Sequence, residues 1–193
     1  MRVRGLKGYH DDVYVSSEFY HLQKMLEHYT CALVARARLP LELVELGLNT
    51  VGVVEEYRAT GVVRFDAALV RKHDRAVVAV LEITGDRVLD AEARFLTEKV
   101  SRAKNVVAMG IPFWFIYYKI RPRTGELYRT KIFDLDTVVR YGRVGKWKDG
   151  ERPYYHVELR HGLTVRQFVP KLKQLPSEIG KSIPLIRIDE LLR

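Results

Sequence analysis

The chain has 193 residues, of which 47% are hydrophobic and 30% are charged, and it contains a single cysteine, Cys31. This composition excludes a disordered chain, and the lone cysteine excludes an internal disulfide framework and a cysteine-rich zinc site. The most apolar run, residues 111–118, is far shorter than the roughly 20 residues of a membrane helix, and the N-terminus shows no secretory signal. We therefore expect a cytoplasmic protein that is not embedded in a membrane.

A formal net charge of +9 and a pI near 9.6 indicate a basic surface. Such a surface attracts polyanions, of which nucleic acid is the commonest in a cell. A second interpretation is a thermophilic protein, since such proteins are rich in Lys, Arg and Glu and this chain has few Asn and Gln. Under the second interpretation the basic charge serves stability alone. We expect nucleic acid as the partner.

The first third of the chain predicts a helix, a shorter helix and a strand. A long helix follows the N-cap signal at Ser17 and ends at Pro40. Residues 41–46 predict a short second helix that Gly47 stops, and residues 51–57 predict a strand. The apolar stripe of the long helix has helical spacing and consists of Phe19, Leu22, Leu26, Tyr29 and Leu33.

The middle of the chain predicts two strands, a long helix and another strand. The strands cover residues 62–70 and 77–84, joined by a polar turn at 71–75. Residues 89–109 then predict a helix, and residues 112–120 a further apolar strand. Three consecutive strands with short connections favour an antiparallel arrangement, and the long helix allows a crossover to a last strand in the same sheet.

Residues 121–193 predict a mixture of strands and a helix. Residues 126–135 and 154–160 are typical of strands, with a Gly/Lys/Trp loop at 142–150 between them. Residues 163–175 predict a helix that contains Pro170. We therefore expect one α/β domain over residues 1–193. Its αβββαβ core, over about residues 17–120, would have a mixed central sheet flanked by helices, and an α+β extension would follow at about residues 121–193.

Each of the two central strands carries one carboxylate, Asp66 and Glu82. If residues 71–75 form the hairpin turn, Val70 lies opposite Val78, which brings Asp66 opposite Glu82 with Cβ atoms about 5 Å apart. Two carboxylates at that distance repel, and a hard cation such as Mg²⁺ between them would resolve the conflict. The alternative is that each acid pairs with a nearby Arg or Lys, or lies on a solvated face.

The order of elements and the two acids together resemble the PD-(D/E)XK nuclease superfamily. The resemblance covers about residues 17–120 and rests on Phe65-Asp66, on Glu82-Ile83-Thr84, and on the apolar run 110–117 after the helix. It implies a restriction-endonuclease-like fold and a nuclease that hydrolyses phosphodiester bonds of DNA with Mg²⁺ or Mn²⁺. In that family the two acids hold the metal ion.

Two positions depart from the family pattern. Phe65 stands where the family usually has Pro, and Thr84 stands where it usually has the lysine that assists the attacking water. Some members of the superfamily supply this lysine from the following helix, where the chain offers Lys99 and Lys104. We prefer Lys99, because it lies nearer the helix start and the end of the Glu82 strand.

The resemblance also implies a third acidic metal ligand from the first helical segment. Glu18, Glu42 and Glu45 are candidates, and Glu45 is favoured because it is closest to the first strand. An ordinary surface position is the alternative for each of them.

Three further residues are candidates for contacts to nucleic acid. Arg64 lies on the same predicted strand face as Asp66, while Lys146 and Trp147 lie in the basic loop. A different class of function stays open, because Thr84 in the lysine position allows a binding module that has lost catalysis. A homodimer also stays open.

Overall fold

A computed structural model describes residues 2–4, 14–36, 38–39, 41–45, 65–146 and 152–191. The strands are β1 (Arg2–Arg4), β2 (Tyr14–Ser16), β3 (Leu41–Glu45), β4 (Ala67–Arg71), β5 (Val77–Asp86), β6 (Glu92–Leu96), β7 (Phe113–Ile120), β8 (Leu127–Asp134), β9 (Arg143–Lys146) and β10 (Pro153–Glu158). The helices are α1 (Ser17–Arg36), α2 (Thr97–Ala108), α3 (Leu135–Tyr141), α4 (Val165–Glu178) and α5 (Ile188–Leu191), with a 3-10 turn at Leu159–His161.

The central sheet has five strands in the order β3-β4-β5-β7-β8. All neighbours are antiparallel except β5 and β7, which are parallel and are joined through β6 and the helix α2. A parallel pair requires such a crossover because its strands begin at the same edge of the sheet. The predicted α/β class, with a mixed central sheet flanked by helices, is confirmed.

Helices cover both faces of the central sheet. One face packs against α1 and α4 through residues such as Leu26 and Phe168, and the other packs against α2 and α3 through Val100 and Val138. Every residue of β7 is buried, which is expected of an interior strand with helices on both sides. Burial of each large apolar side chain contributes about 1.5–3 kcal/mol, so this strand is a major source of stability.

The C-terminal region has both helices and strands, as predicted. Its first strand, β8, extends the central sheet, and β9 and β10 form a small sheet with β6 in the order β6-β10-β9. Helix α4 continues through Pro170 and Pro176 and begins with a capping box between Thr164 and Gln167. No helix among the described residues is long and apolar enough to cross a membrane.

Two helix predictions and one loop prediction are wrong. Within the loop predicted at 142–150, Arg143–Lys146 is the strand β9, paired with β10. The helix predicted at 41–46 is replaced by a strand, because Leu41–Glu45 is β3, paired with β4 along its whole length. The predicted helix 89–109 begins only at Thr97, since Glu92–Leu96 is the strand β6, paired with β10. For both helix predictions, pairing with another strand overrides the local helix preference of the residues. The strand predicted at residues 51–57 lies outside the described residues.

Candidate metal and catalytic centre

Asp66 directly precedes β4 and is almost fully buried, with 3% of its surface exposed. The ladder pairs Ala67 with Leu81, so Asp66 faces Glu82 across the two strands. A bulge next to the turn pairs Val70 with Val77, where the sequence predicted Val78. The bulge changes the register only at the turn end and therefore leaves the relation between the two acids as predicted.

A backbone hydrogen bond fixes the carboxylate of Asp66. The amide nitrogen of Ile83 donates to Oδ2 of Asp66 at 2.6 Å, across the two strands. A buried carboxylate needs such donors, because its removal from water is costly otherwise. The bond ties the orientation of Asp66 to the backbone of β5, the strand that carries Glu82.

Glu82 contacts a buried lysine from α2. Nζ of Lys99 lies 3.0 Å from Oε2 of Glu82, and both side chains are buried, at 3% exposed for Lys99 and 8% for Glu82. The same ammonium group lies 5.5 Å from the centroid of the Phe65 ring, a cation–π contact. Position 65 therefore carries an aromatic ring that packs against the lysine of the site.

Two acids, Asp66 and Glu82, lie close together at this site, with Lys99 and Arg102 as positive groups that act on Glu82. Burial, and next the charge of Asp66, raise the pKa of Glu82 to about 8, although Lys99 and Arg102 act in the opposite direction. A carboxyl group with a pKa this high holds its proton near neutral pH unless further positive charge arrives. Additional positive charge beside Glu82 would favour its ionised form.

The alternative lysine does not join this group. Lys104 is exposed on α2, whereas Lys99 is buried beside Glu82. Thr84 is half-buried on β5 and pairs with Tyr117 of β7. The ammonium group beside Glu82 thus comes from helix α2. The family pattern has its lysine at position 84, on the strand that carries Glu82.

The remaining predicted residues are less well placed or not described. Glu45 pairs with Ala67 in the β3–β4 ladder, one position from Asp66, but its side chain lies outside the described ones. Arg64 and Trp147 also lie outside the described residues, and Lys146 is exposed at the end of β9. The described residues contain no group of three or more His, Cys, Asp or Glu side chains that could hold a metal ion.

A second group of buried charges, which the sequence did not predict, lies on the same face of β5. Asp86 accepts hydrogen bonds from Nη1 of Arg94 at 2.9 Å, from the hydroxyl of Tyr117 at 2.6 Å and from Nζ of Lys119 at 2.8 Å. Lys119 also donates to Asp90 at 2.8 Å, and Arg94 forms an ion pair with the same carboxylate. This paired cluster joins β5, β6 and β7.

The ionisation of the paired cluster differs from that of Glu82. Burial opposes the charge of Asp90, but hydrogen bonds from Arg94 and Lys119 outweigh it and lower the pKa of Asp90 to about 2. Two bases, Arg94 and Lys119, each form ion pairs with both Asp86 and Asp90. The only sequence signal was that Asp86 lies four residues after Glu82, and therefore on the same strand face.

Comparison with solved structures finds a similar structure, that of a nuclease from a fusselovirus. The two share 13% sequence identity, with a TM-score of 0.49, over 86% of this chain and 99% of that chain. No protein-family model and no curated protein matches the sequence.

Proposed function

We propose that this protein is a metal-dependent nuclease that hydrolyses phosphodiester bonds of nucleic acid, with DNA as the expected substrate. The observation that carries the proposal is the buried pair of Asp66 and Glu82 beside Lys99, with the pKa of Glu82 raised to about 8. A cation bound between the two acids would offset their mutual repulsion and favour the ionised form of Glu82. The net charge of +9 suits a polyanionic substrate.

The residues fit Mg²⁺ or Mn²⁺ as the cofactor. Mg²⁺ is typically held by one or two protein carboxylates and completes its shell with water and phosphate oxygens, so a third protein acid is not required. Asp66 and Glu82 would hold the ion, and Glu45 would be a further ligand. The chemistry that the ion supplies is the activation of water and the neutralisation of phosphate charge.

Lys99 is suited to assist at the reacting phosphate. Its ammonium group is fixed by Glu82 and by the Phe65 ring, so it is held in place before substrate binds. A positioned cation in a poorly hydrated site stabilises the negative charge of a transition state more than a mobile one does. We assign to Lys99 the role that the family pattern gives to the position of Thr84.

A second function, binding of nucleic acid without cleavage, is favoured by one observation. The sheet carries Thr84 where the family pattern has its lysine, and Lys99 approaches Glu82 from a different element. If that approach does not place the ammonium group correctly for catalysis, the same basic protein would bind and not cut. A single cleavage assay distinguishes the two functions.

Purified protein should be incubated with plasmid and with single-stranded DNA, in Mg²⁺, in Mn²⁺ and in EDTA. We expect metal-dependent cleavage that Asp66→Asn slows by more than about a hundredfold, since even groups that only orient metal ligands give losses of that order. Asn keeps an oxygen that can accept from Ile83, so the fold should persist. Asp136→Asn, an exposed acid on α3, is the matched control.

Each outcome of the assay decides between the alternatives. Full metal-dependent cleavage by Asp66→Asn contradicts the assignment of the site. A wild-type protein that binds DNA but leaves it intact in both metals contradicts the nuclease and supports the binding module.

A further inference from the structure

A group of basic residues surrounds one exposed tyrosine on the hairpin between β7 and β8. Tyr128 is 46% exposed, and the guanidinium carbons of Arg121 and Arg129 lie 5.0 and 5.3 Å from the centroid of its ring. Cation–π contacts of this kind hold a guanidinium group in place. We call Arg121, Tyr128 and Arg129 the arginine–tyrosine cluster. It lies outside the metal and catalytic centre.

A β-bulge brings these side chains together. The ladder pairs Lys119 with Arg129 and Ile120 with Leu127, so Tyr128 has no partner residue on β7. In a regular strand, neighbouring side chains point to opposite faces, and the ring of residue 128 would not meet the side chain of residue 129. A bulge re-aims a side chain and bends the strand. The contact between Tyr128 and Arg129 therefore depends on the irregularity.

The surface around the cluster carries excess positive charge. Burial, and next the charge of Arg129, lower the pKa of Lys131, which donates a hydrogen bond to the carbonyl of Gly162 at 2.9 Å. Arg123, in the turn of the hairpin, is exposed. Glu126 is the nearby acid, 3.9 Å from Nε of Arg121, and it is itself exposed. The basic residues outnumber this acid among the described residues of the hairpin.

The cluster lies on the sheet that carries the metal and catalytic centre. Arg129 pairs with Lys119, and Lys119 pairs with Asp86, four residues after Glu82 on β5. From the rise per residue and the spacing of strands, the backbones of Arg129 and Glu82 are about 16 Å apart in the plane of the sheet. That distance corresponds to about five base pairs of B-form DNA.

We propose that the arginine–tyrosine cluster is a second contact for the backbone of nucleic acid. Arg121 and Arg129 bind phosphates, for which the planar guanidinium group is well suited. Tyr128 is a positioning residue, since its ring holds the two guanidinium groups without contacting the phosphates itself. The inference rests on the proposed function in one respect, namely that the nucleic acid bound by the cluster is the one cut at Asp66 and Glu82.

The test measures binding of a fluorescein-labelled DNA duplex as a function of salt concentration. The Asp66→Asn background is used so that the DNA stays intact. Each phosphate contact contributes about 0.9 to the slope of log affinity against log salt, so Arg121→Ala and Arg129→Ala should each lower the slope by about that amount. Arg140→Ala, an exposed arginine on α3, should leave it close to the parent value.

Tyr128 distinguishes positioning from simple charge. Tyr128→Ala removes no charge, yet we expect the slope to fall because the two guanidinium groups lose their support, and Tyr128→Phe should restore it. The matched control is Tyr141→Ala, an exposed tyrosine with Arg140 over its ring at 5.7 Å. Circular dichroism checks that the Ala variants are folded.

An unchanged slope in Arg121→Ala and Arg129→Ala, or in folded Tyr128→Ala, would overturn the inference. Plasmid cleavage by the wild-type protein is measured in parallel. That assay tests a protein in which the cluster is intact, whereas the salt dependence compares variants of the cluster, so loss of the proposed function and loss of this second contact give different results.

Discussion

Glu82 and Asp86 lie on one face of β5 and each belongs to a group of charged residues, yet the pKa values of Glu82 and of Asp90, which belongs to the Asp86 group, move in opposite directions. In the paired cluster, Arg94 and Lys119 balance Asp86 and Asp90, and the pKa of Asp90 falls to about 2. At the candidate metal and catalytic centre the pKa of Glu82 rises to about 8. Burial contributes to the difference, because Glu82 is 8% exposed whereas the side chain of Asp90 is 34% exposed. Burial and the charge of Asp66 raise the pKa of Glu82, and hydrogen bonds from Arg94 and Lys119 outweigh burial and lower that of Asp90, so we expect the paired cluster to serve stability and the other group to serve ligand binding.

The largest expected effect comes from exchanging each buried lysine for methionine. Lys119→Met leaves the buried Asp86 and the partly exposed Asp90 with one base fewer, and removal of one partner from a buried ion pair costs about 3–5 kcal/mol in the free energy of unfolding. Lys99→Met should cost only about 1 kcal/mol, the typical value for a point mutation, because Glu82 can take up a proton instead. Urea denaturation measures both, with the exposed Lys104→Met as control. Equal losses in the free energy of unfolding for Lys119→Met and Lys99→Met would contradict the proposed difference between the two groups.

The second prediction concerns the pH dependence of stability without metal. The pKa of the Glu82 carboxyl group is 4.5 in the unfolded chain and rises to about 8 in the folded protein. The unfolded state therefore binds fewer protons between these values, and the free energy of unfolding should fall as the pH rises through that window. Above it, no further change from this group is expected. Glu82→Gln should abolish the decline, as measured by urea denaturation in EDTA.

Asp90 should act in the opposite direction and at lower pH. Because its pKa falls from 3.8 to about 2 on folding, its contribution is present above pH 3.8 and is lost as the pH falls towards 2. Asp90→Asn should remove part of the acid sensitivity and leave the decline from Glu82 unaltered. If Glu82→Gln and Asp90→Asn each abolished the same step in the pH dependence of the free energy of unfolding, the two groups would not titrate independently.

The smallest expected effect is a gain of stability at the metal and catalytic centre. Asp66→Asn removes one of the charges that raise the pKa of Glu82, while its side-chain oxygen can still accept from Ile83. We expect a gain of about 1 kcal/mol in metal-free buffer, of the size seen when a strained functional site is relieved. A clear loss of stability would show that Asp66 is a structural acid.

The sequence predicted those features that depend on neighbouring segments. Alternation of apolar residues and a short turn were enough to place Asp66 opposite Glu82, because both belong to one hairpin. Helical periodicity placed Lys99 at the edge of the buried stripe of α2, but the packing of the helix on the sheet decided that this lysine contacts Glu82 and that Lys104 is exposed.

Features that depend on distant partners were not predictable. Glu92–Leu96 forms a strand because Tyr155 and its neighbours on β10 pair with it, and no local signal reveals that pairing. The paired cluster was missed for the same reason, since Asp86 and Lys119 come together only when β5 and β7 lie in parallel. The bulge at Tyr128 is likewise visible only in the register between β7 and β8.

The most direct test of the central claim is the thermal unfolding of the wild-type protein and of Asp66→Asn in Mg²⁺ or Mn²⁺, each compared with EDTA. A ligand at a hundredfold excess over its dissociation constant stabilises by about 2.7 kcal/mol, so the wild-type Tm should rise by about 5–10 °C. Asp136→Asn should show the same rise, and Asp66→Asn should show none. An equal rise in Asp66→Asn would contradict the account, because the metal ion would then bind elsewhere.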